Sequence, residues 1–167
     1  NAAGSTNAEY EIGDVVFLRD HINLLPDNPL RGPNDDRLGP RFPDLLHTYD
    51  RDLNARAVEL AAQEGLRAHE GVYAAVAGPN LETPAEYNFI HLIGGDLVGM
   101  STVPEVIVAR HMGLPVFAFS VVTDLGYPPE AIRPTTHEDV VAAANAAEPK
   151  LRKVVKGVME WLDRSHQ

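Results

Sequence analysis

The chain has 167 residues, about one domain's worth, and its 44% hydrophobic and 23% charged content is ordinary globular usage, which excludes disordered and fibrous classes. A net charge of −10 repels phosphate backbones and anionic lipid, so no nucleic-acid and no membrane-surface role is expected. With no cysteine, disulfide scaffolds, thiolate zinc sites and cysteine nucleophiles are excluded.

The start, Asn1-Ala2-Ala3-Gly4, has neither a basic nor an apolar leader segment, and the longest apolar run, Leu114 to Val122, is about half a bilayer span. A cytoplasmic, reducing compartment is therefore expected. Val15 to Leu18 reads as a buried strand bounded by Gly13-Asp14 and Arg19-Asp20. His21 to Asp44 holds Pro26, Pro29, Pro33, Pro40 and Pro43, which break helix and central strand alike; this is a long, ordered loop of the kind that carries function. Asp50 to Glu64 places Leu53, Ala57, Leu60 and Ala61 at helical spacing. Val72 to Ala77 is a second strand, and Thr83-Pro84-Ala85-Glu86 is a capping box opening a helix that Gly94 ends. Asp96 to Gly99 is a third strand. Thr102-Val103-Pro104-Glu105 is a second capping box, for a helix through His111. Pro115 to Thr123 is the strongest strand, and Thr135 to Glu138 caps a long helix towards Trp161, interrupted near Pro149.

This alternation predicts an α/β fold with a mixed, largely parallel β-sheet flanked by helices. Ligands of open α/β sheets sit beyond the carboxyl ends of strands, which directs attention to Gly78–Glu82, Met100–Thr102 and Thr123–Gly126. Dinucleotide, Walker and nucleophile-elbow motifs are absent, and the histidines lack metal-ligand spacing, so no metal is expected. Glu82, just before a helix, is either a solvated loop carboxylate or an acceptor for a ligand N–H. Asp124 closes a buried strand, where a carboxylate must be hydrated, paired or ligand-bound; the alternative is a turn-forming Asp before Gly126. If Thr102 caps its helix, the Ser101 hydroxyl is left beside helical N–H groups as an anion cradle. His137 is a surface histidine or a hydroxyl partner, while Met100 and Tyr73 read as core on pattern alone. Jointly these residues suggest a pocket for an anion, a heteroaromatic ring and a sugar.

The runs Gly99 to His111, Arg19 to Leu24, Asn28 to Asp35, and Val76-Ala77-Gly78-Pro79 followed by Glu82-Thr83 are distinctive. Together they closely resemble trimeric purine nucleoside phosphorylase, of the family that also holds methylthioadenosine phosphorylase. The likeness runs from Asn1 to Trp161 and matches the carboxy-terminal part of that family's subunit, so residues 1–167 are expected to be the carboxy-terminal portion of a single nucleoside phosphorylase domain. The family's glycine-rich phosphate loop, phosphate-binding Arg and catalytic-loop His would precede Asn1. A half-sheet would expose an unpaired edge, and the chain is expected to be stable only with its amino-terminal half.

The resemblance implies reversible phosphorolysis of purine (2'-deoxy)ribonucleosides to free base and (deoxy)ribose 1-phosphate, with no cofactor other than inorganic phosphate as co-substrate. Glu82 would accept from purine N1–H and an exocyclic amine, and Asp124 would face N7 and the 6-substituent. Ser101 and the backbone N–H of Ala2 would bind phosphate, Met100 would pack on ribose and phosphate, Tyr73 would bond a ribose hydroxyl, and His137 would hold the 5'-hydroxyl. Val98 and Val140, with Leu81, Gly99 and Thr123, would complete the substrate pocket, and Asp124, Glu82 and His137 would carry the catalytic roles. Phe42 matches an aromatic that covers the neighbouring subunit's sugar site, which implies a homotrimer.

Leu81 stands where mammalian enzymes carry Phe, and Asp124 where they carry Asn. An ionised Asp124 accepts from N7–H and a 6-amino group but repels O6, whereas a protonated one donates to N7 or O6. Asp124 resembles the methylthioadenosine branch and Glu82 the 6-oxopurine branch, so guanosine and inosine are the favoured substrates, with adenosine as a further one. The alternatives are a methylthioadenosine phosphorylase-like enzyme and a catalytically incompetent purine-binding fragment.

Overall fold

The computed structural model describes residues 1–165. Among them the elements run β1 (Ala2–Ser5), β2 (Val15–Asn23), α1 (Arg51–Gln63), β3 (Ala68–Ala75), α2 (Pro84–Leu92), β4 (Leu97–Gly99), α3 (Val103–His111), β5 (Phe119–Leu125) and α4 (His137–Ser165). A single 3-10 turn at Pro129–Ala131 precedes α4.

The α/β architecture is as expected, with a mixed sheet: β1/β5, β2/β3 and β3/β4 are parallel, β1/β4 and β2/β5 antiparallel. The expected free edge is not there. The strands close into a barrel in the order β1-β4-β3-β2-β5. Closure depends on β1, which sequence patterning does not reveal because Ala2, Ala3, Gly4 and Ser5 have weak strand propensity. Small residues are needed there: a Cβ on Gly4 would stand 2.7 Å from Asp124 Oδ2. The β1/β5 ladder also shifts register between Ala3 and Gly4, passing over Thr123 so that Gly4 pairs with Asp124. Such bulges re-aim side chains beside functional sites.

Strand β2 runs on to Asn23, into the predicted loop, because Asp20 to Asn23 pair with Val72 to Ala75 of β3 after a shift past Arg19. In the other direction β5 begins only at Phe119; Val116 makes a lone bridge to Tyr49. The long loop after β2 is ordered by its own side chains. Asn34 donates to the Gly39 carbonyl (2.9 Å) and faces Nε2 of the buried His111 at the end of α3 (3.1 Å).

Helix α1 is capped by Asp50, whose carboxylate accepts from the N–H groups of Asp52 and Leu53. Its buried face, Leu53, Ala57 and Ala61, meets Ala147, Leu151, Val154 and Val158 of α4 together with Val15, Phe17 and Val121 of the barrel. Each large side chain sealed there contributes about 2 kcal/mol. That burial carries α4 through Pro149 without the expected interruption. Pro149 is exposed, so the carbonyl that loses its helical donor lies on the solvent side. The cap of α4 also falls one residue later than predicted: Thr136 accepts from Asp139 N–H, and Asp139 accepts from Thr136 N–H.

Ahead of β2, buried Asp14 accepts from Arg67 Nε (2.9 Å) and the Glu11 amide (2.9 Å), and faces His69 Nε2 (2.8 Å). Burial alone would push its carboxyl up, but Arg67, the Glu11 amide and His69 outweigh burial and hold it below its ordinary value. The folded state therefore gains from ionised Asp14 above the unfolded value near ~4 and loses that gain as pH falls through the folded value. Asp14→Ala is expected to cost about 2–3 kcal/mol at neutral pH. Thermal midpoints of the two proteins should converge as pH is lowered towards ~2; a constant gap would show that the charge plays no part.

Candidate active site

A cavity of about 410 Å³ is lined by five stretches of chain. These are Ala2, Ala3 and Gly4 of β1; Pro79, Leu81 and Glu82 ahead of α2; Val98 to Ser101 at the end of β4; Thr123 and Asp124 of β5; and Thr136, His137 and Val140 opening α4. The expected site residues Ala2, Leu81, Glu82, Val98, Gly99, Met100, Ser101, Thr123, Asp124, His137 and Val140 are thus brought together. Ala3, Gly4, Pro79 and Thr136 are additional walls.

Two expected residues lie elsewhere. Tyr73 does not line the cavity: it is fully buried, and its hydroxyl accepts the Ser101 N–H (3.2 Å). Gly99 permits this, since a Cβ there would strike the Tyr73 hydroxyl. Within one chain Tyr73 therefore supports Ser101 from behind. Phe42 is 86% exposed, under the Arg41 guanidinium (5.2 Å), and borders a separate cleft with Asn28, Leu30 and Arg31.

Thr102 departs from the predicted capping box. Its φ of 74° and ψ of −53° place it in a γ-turn, with Val103 N–H returned to the Ser101 carbonyl (2.8 Å), and its side chain makes no capping bond. This conformation is costly for a β-branched residue and persists only where neighbours over-determine it. Here they do. Thr102 Oγ1 accepts from Asn1 Nδ2 (2.7 Å) and lies 3.0 Å from Ser101 Oγ, while Asn1 Oδ1 accepts from Ser120 (2.7 Å). The Ser101 hydroxyl is accordingly held in a chain of polar groups, facing the cavity at the start of α3, where backbone N–H groups and the helix dipole favour an anion.

The carboxylate side of the cavity is built by α2. Thr83 and Glu86 form the predicted capping box (2.7 and 3.3 Å), which fixes the helix start immediately after Glu82. One turn on, Tyr87 is buried, and its hydroxyl donates to Asp124 Oδ2 (2.9 Å). Thr123 Oγ1 donates to Asp124 Oδ1 (2.9 Å). Burial first, and then the neighbouring Asp124 charge, push the Glu82 carboxyl up, against the Glu82 backbone amide and the Tyr87 hydroxyl, which pull it down. Burial and both carboxylates drive the Tyr87 phenol up, so it stays protonated. Sequence pattern did not single out Tyr87. The available signal was a Tyr on the inner face of a short helix, which must find a hydrogen-bond partner when buried.

The cavity therefore offers two coupled carboxyls, a hydroxyl at a helix start and an imidazole at another, which is a site for a polar heterocycle beside an anion. Among the described residues, no cluster of His, Asp or Glu could hold a metal ion, and no helix is long and apolar enough to cross a membrane.

Residues 1–160 match the model of the Phosphorylase superfamily, and the chain belongs to that family. It is 47% identical over 168 residues to the purine nucleoside phosphorylase of Mus musculus, covering 96% of this chain and 57% of the mouse protein. Schistosoma purine nucleoside phosphorylase in complex with guanosine superposes with a TM-score of 0.90 at 42% identity, over 96% of this chain and 60% of that one. The Schistosoma mansoni enzyme in complex with adenosine gives 0.87 at 43% identity, again over 96% and 60%. The chain thus spans less than two thirds of the length of these relatives.

Proposed function

We propose that this chain is the carboxy-terminal portion of a purine nucleoside phosphorylase, and that the protein carrying it performs reversible phosphorolysis of purine (2'-deoxy)ribonucleosides, 6-oxopurines favoured. The observation that carries the reading is the convergence of Glu82, Asp124, Ser101 and His137 on one 410 Å³ cavity. Relatives that share this fold bind guanosine and adenosine.

In the reaction, a phosphate oxygen bonds to the anomeric carbon as the C–N glycosidic bond breaks, and the electron pair of that bond leaves with the purine. The transition state is oxocarbenium-like, with positive charge on the sugar and negative charge growing on the base. Glu82 holds N1–H and the exocyclic amine, and Asp124 faces N7 and the 6-substituent. Ser101 Oγ and the Ala2 N–H hold phosphate against the sugar face, Met100 packs beside it, and His137 orients the 5'-hydroxyl. Preorganised partners for the developing charges lower the barrier, and fixing the anion near the anomeric carbon supplies much of the rest.

No Lys or Arg is among the described residues that line the cavity, so on this reading the amino-terminal part of the subunit brings the cationic half of the phosphate site. On this reading Phe42, which is exposed, covers a neighbouring subunit's sugar site in a homotrimer. The protein is cytoplasmic on this reading, and inorganic phosphate is its sole co-substrate.

The test is phosphate-dependent release of hypoxanthine from inosine by the protein that carries this chain, with ribose 1-phosphate formed in equal amount. Binding of inosine without phosphate-dependent turnover would instead establish a purine-binding protein.

A further inference from the structure

Asp124 and Glu82 approach the cavity from different elements, and the buried Tyr87 phenol is hydrogen-bonded to Asp124. A tyrosine hydroxyl has one proton to donate and two lone pairs with which to accept. In this structure the Tyr87 proton goes to Asp124 Oδ2 at 2.9 Å, and Thr123 supplies a second donor to Oδ1. With both oxygens receiving internal donors, Asp124 is left as an acceptor towards the cavity.

An acceptor at Asp124 complements a 6-aminopurine, whose N6–H donates, and disfavours a 6-oxopurine, whose O6 accepts. The Tyr87 ring is locked between its neighbours. It lies against Gly126, where any Cβ would collide with it, and the residue is only 4% exposed. Gly4 of β1 leaves the room that the Asp124 carboxylate occupies, since a Cβ there would stand 2.7 Å from Oδ2.

We propose that Tyr87 is a positioning residue that sets base preference, its hydroxyl holding Asp124 as an acceptor and so admitting 6-aminopurine as well as 6-oxopurine nucleosides. This rests on the phosphorolysis reading of the same cavity. The described geometry, with the phenolic O–H donated to Asp124, suits a 6-amino group. Removing the hydroxyl therefore costs adenosine more than guanosine.

The test compares kcat/KM for adenosine and guanosine in the protein carrying this chain and in its Tyr87→Phe variant. The adenosine-to-guanosine ratio is expected to fall roughly tenfold, mostly through a raised KM for adenosine. A ratio is insensitive to a general loss of folded enzyme, which slows both substrates alike. Asp124→Asn, which brings its own N–H donor to the 6-position, is expected to move the ratio the same way, and adding Tyr87→Phe to it is expected to change the ratio no further; a further fall of the same size as in the single variant overturns the claim that Tyr87 acts through Asp124. Equal loss for both substrates in Tyr87→Phe, with an unchanged ratio, overturns the role of Tyr87 alone. Failure of the wild-type protein to cleave or bind either nucleoside overturns the phosphorolysis reading and this inference together.

Discussion

Replacing Glu82 by Ala is expected to lower kcat/KM about a thousandfold for guanosine and about thirtyfold for inosine, while leaving KM for phosphate nearly unchanged. The magnitude follows from stranding: a 6-oxopurine brings N1–H, and guanine an additional amine, to the Glu82 side of the cavity, while Asp124 serves the N7 edge. Each buried donor left without a partner costs about 1–3 kcal/mol, so two amount to a factor of roughly 10² to 10⁴. Ser101, on the turn after β4, is held by Tyr73 and Thr102 rather than by Glu82, which is why the anion should be indifferent. Stability should not fall with activity. The Glu82 carboxyl is pushed up in the folded protein, chiefly by burial. Its contribution to stability is therefore present below the ordinary carboxylate range and lost as pH rises through the raised value. At neutral pH the Glu82→Ala protein should melt at or above the wild-type temperature. Steady-state kinetics on both substrates with a thermal scan check the pair of expectations; a matching rise in phosphate KM would show that the two halves of the site are not separable.

Gly39→Ala is expected to release the loop between β2 and α1 while leaving the barrel intact. Gly39 needs no unusual backbone angle; its requirement is purely steric, because a Cβ would run into the backbone carbonyl oxygen of His111. Neither side can yield cheaply. His111 is buried at the end of α3, whose inner face of Val103, Val106 and Ile107 is sealed in the core. On the loop side, Asn34 ties both the Gly39 carbonyl and the His111 ring. Overpacking of this kind costs about 2–3 kcal/mol, which is a factor of roughly 30 to 100 in the population with the loop detached. Limited proteolysis between Leu24 and Thr48 should accelerate by that factor, with far-UV circular dichroism unchanged. If Phe42 reaches a neighbouring subunit, the same variant should also lose its oligomer on sizing; unaltered proteolysis would mean that the loop is anchored elsewhere.

The elements that could be read from sequence are those whose signals are local. The Thr83–Glu86 capping box marks α2 to the residue, and the spacing of Leu53, Ala57 and Ala61 marks the inner face of α1. What escaped was set by distant partners. Strand β1 has little intrinsic preference and is a strand because β4 and β5 accept it on either side, and that single addition turns an expected open sheet into a closed barrel. Thr102 looks like a helix cap in sequence, but Asn1 and Ser101 occupy its hydroxyl in space. The site was more legible than the barrel, because residues at strand ends and helix starts converge whichever way the sheet is completed. Tyr87 stayed hidden for the opposite reason. It belongs to a helix interior, and its significance lies in a bond to Asp124, 37 positions away.

Helix α4 is anchored very unevenly. Its buried residues begin at Ala147, and the ten positions before it, His137 to Ala146, are exposed or half-buried. That stretch, roughly 15 Å of helix, projects past the hydrophobic support like a cantilever, and His137 sits at its tip. Pro149, which removes one rung of the hydrogen-bond ladder close to where support begins, marks the natural flexing point. The part of α4 that borders the cavity is therefore held by fewer buried side chains than the rest of the helix, so local opening there costs less than opening along the buried stretch.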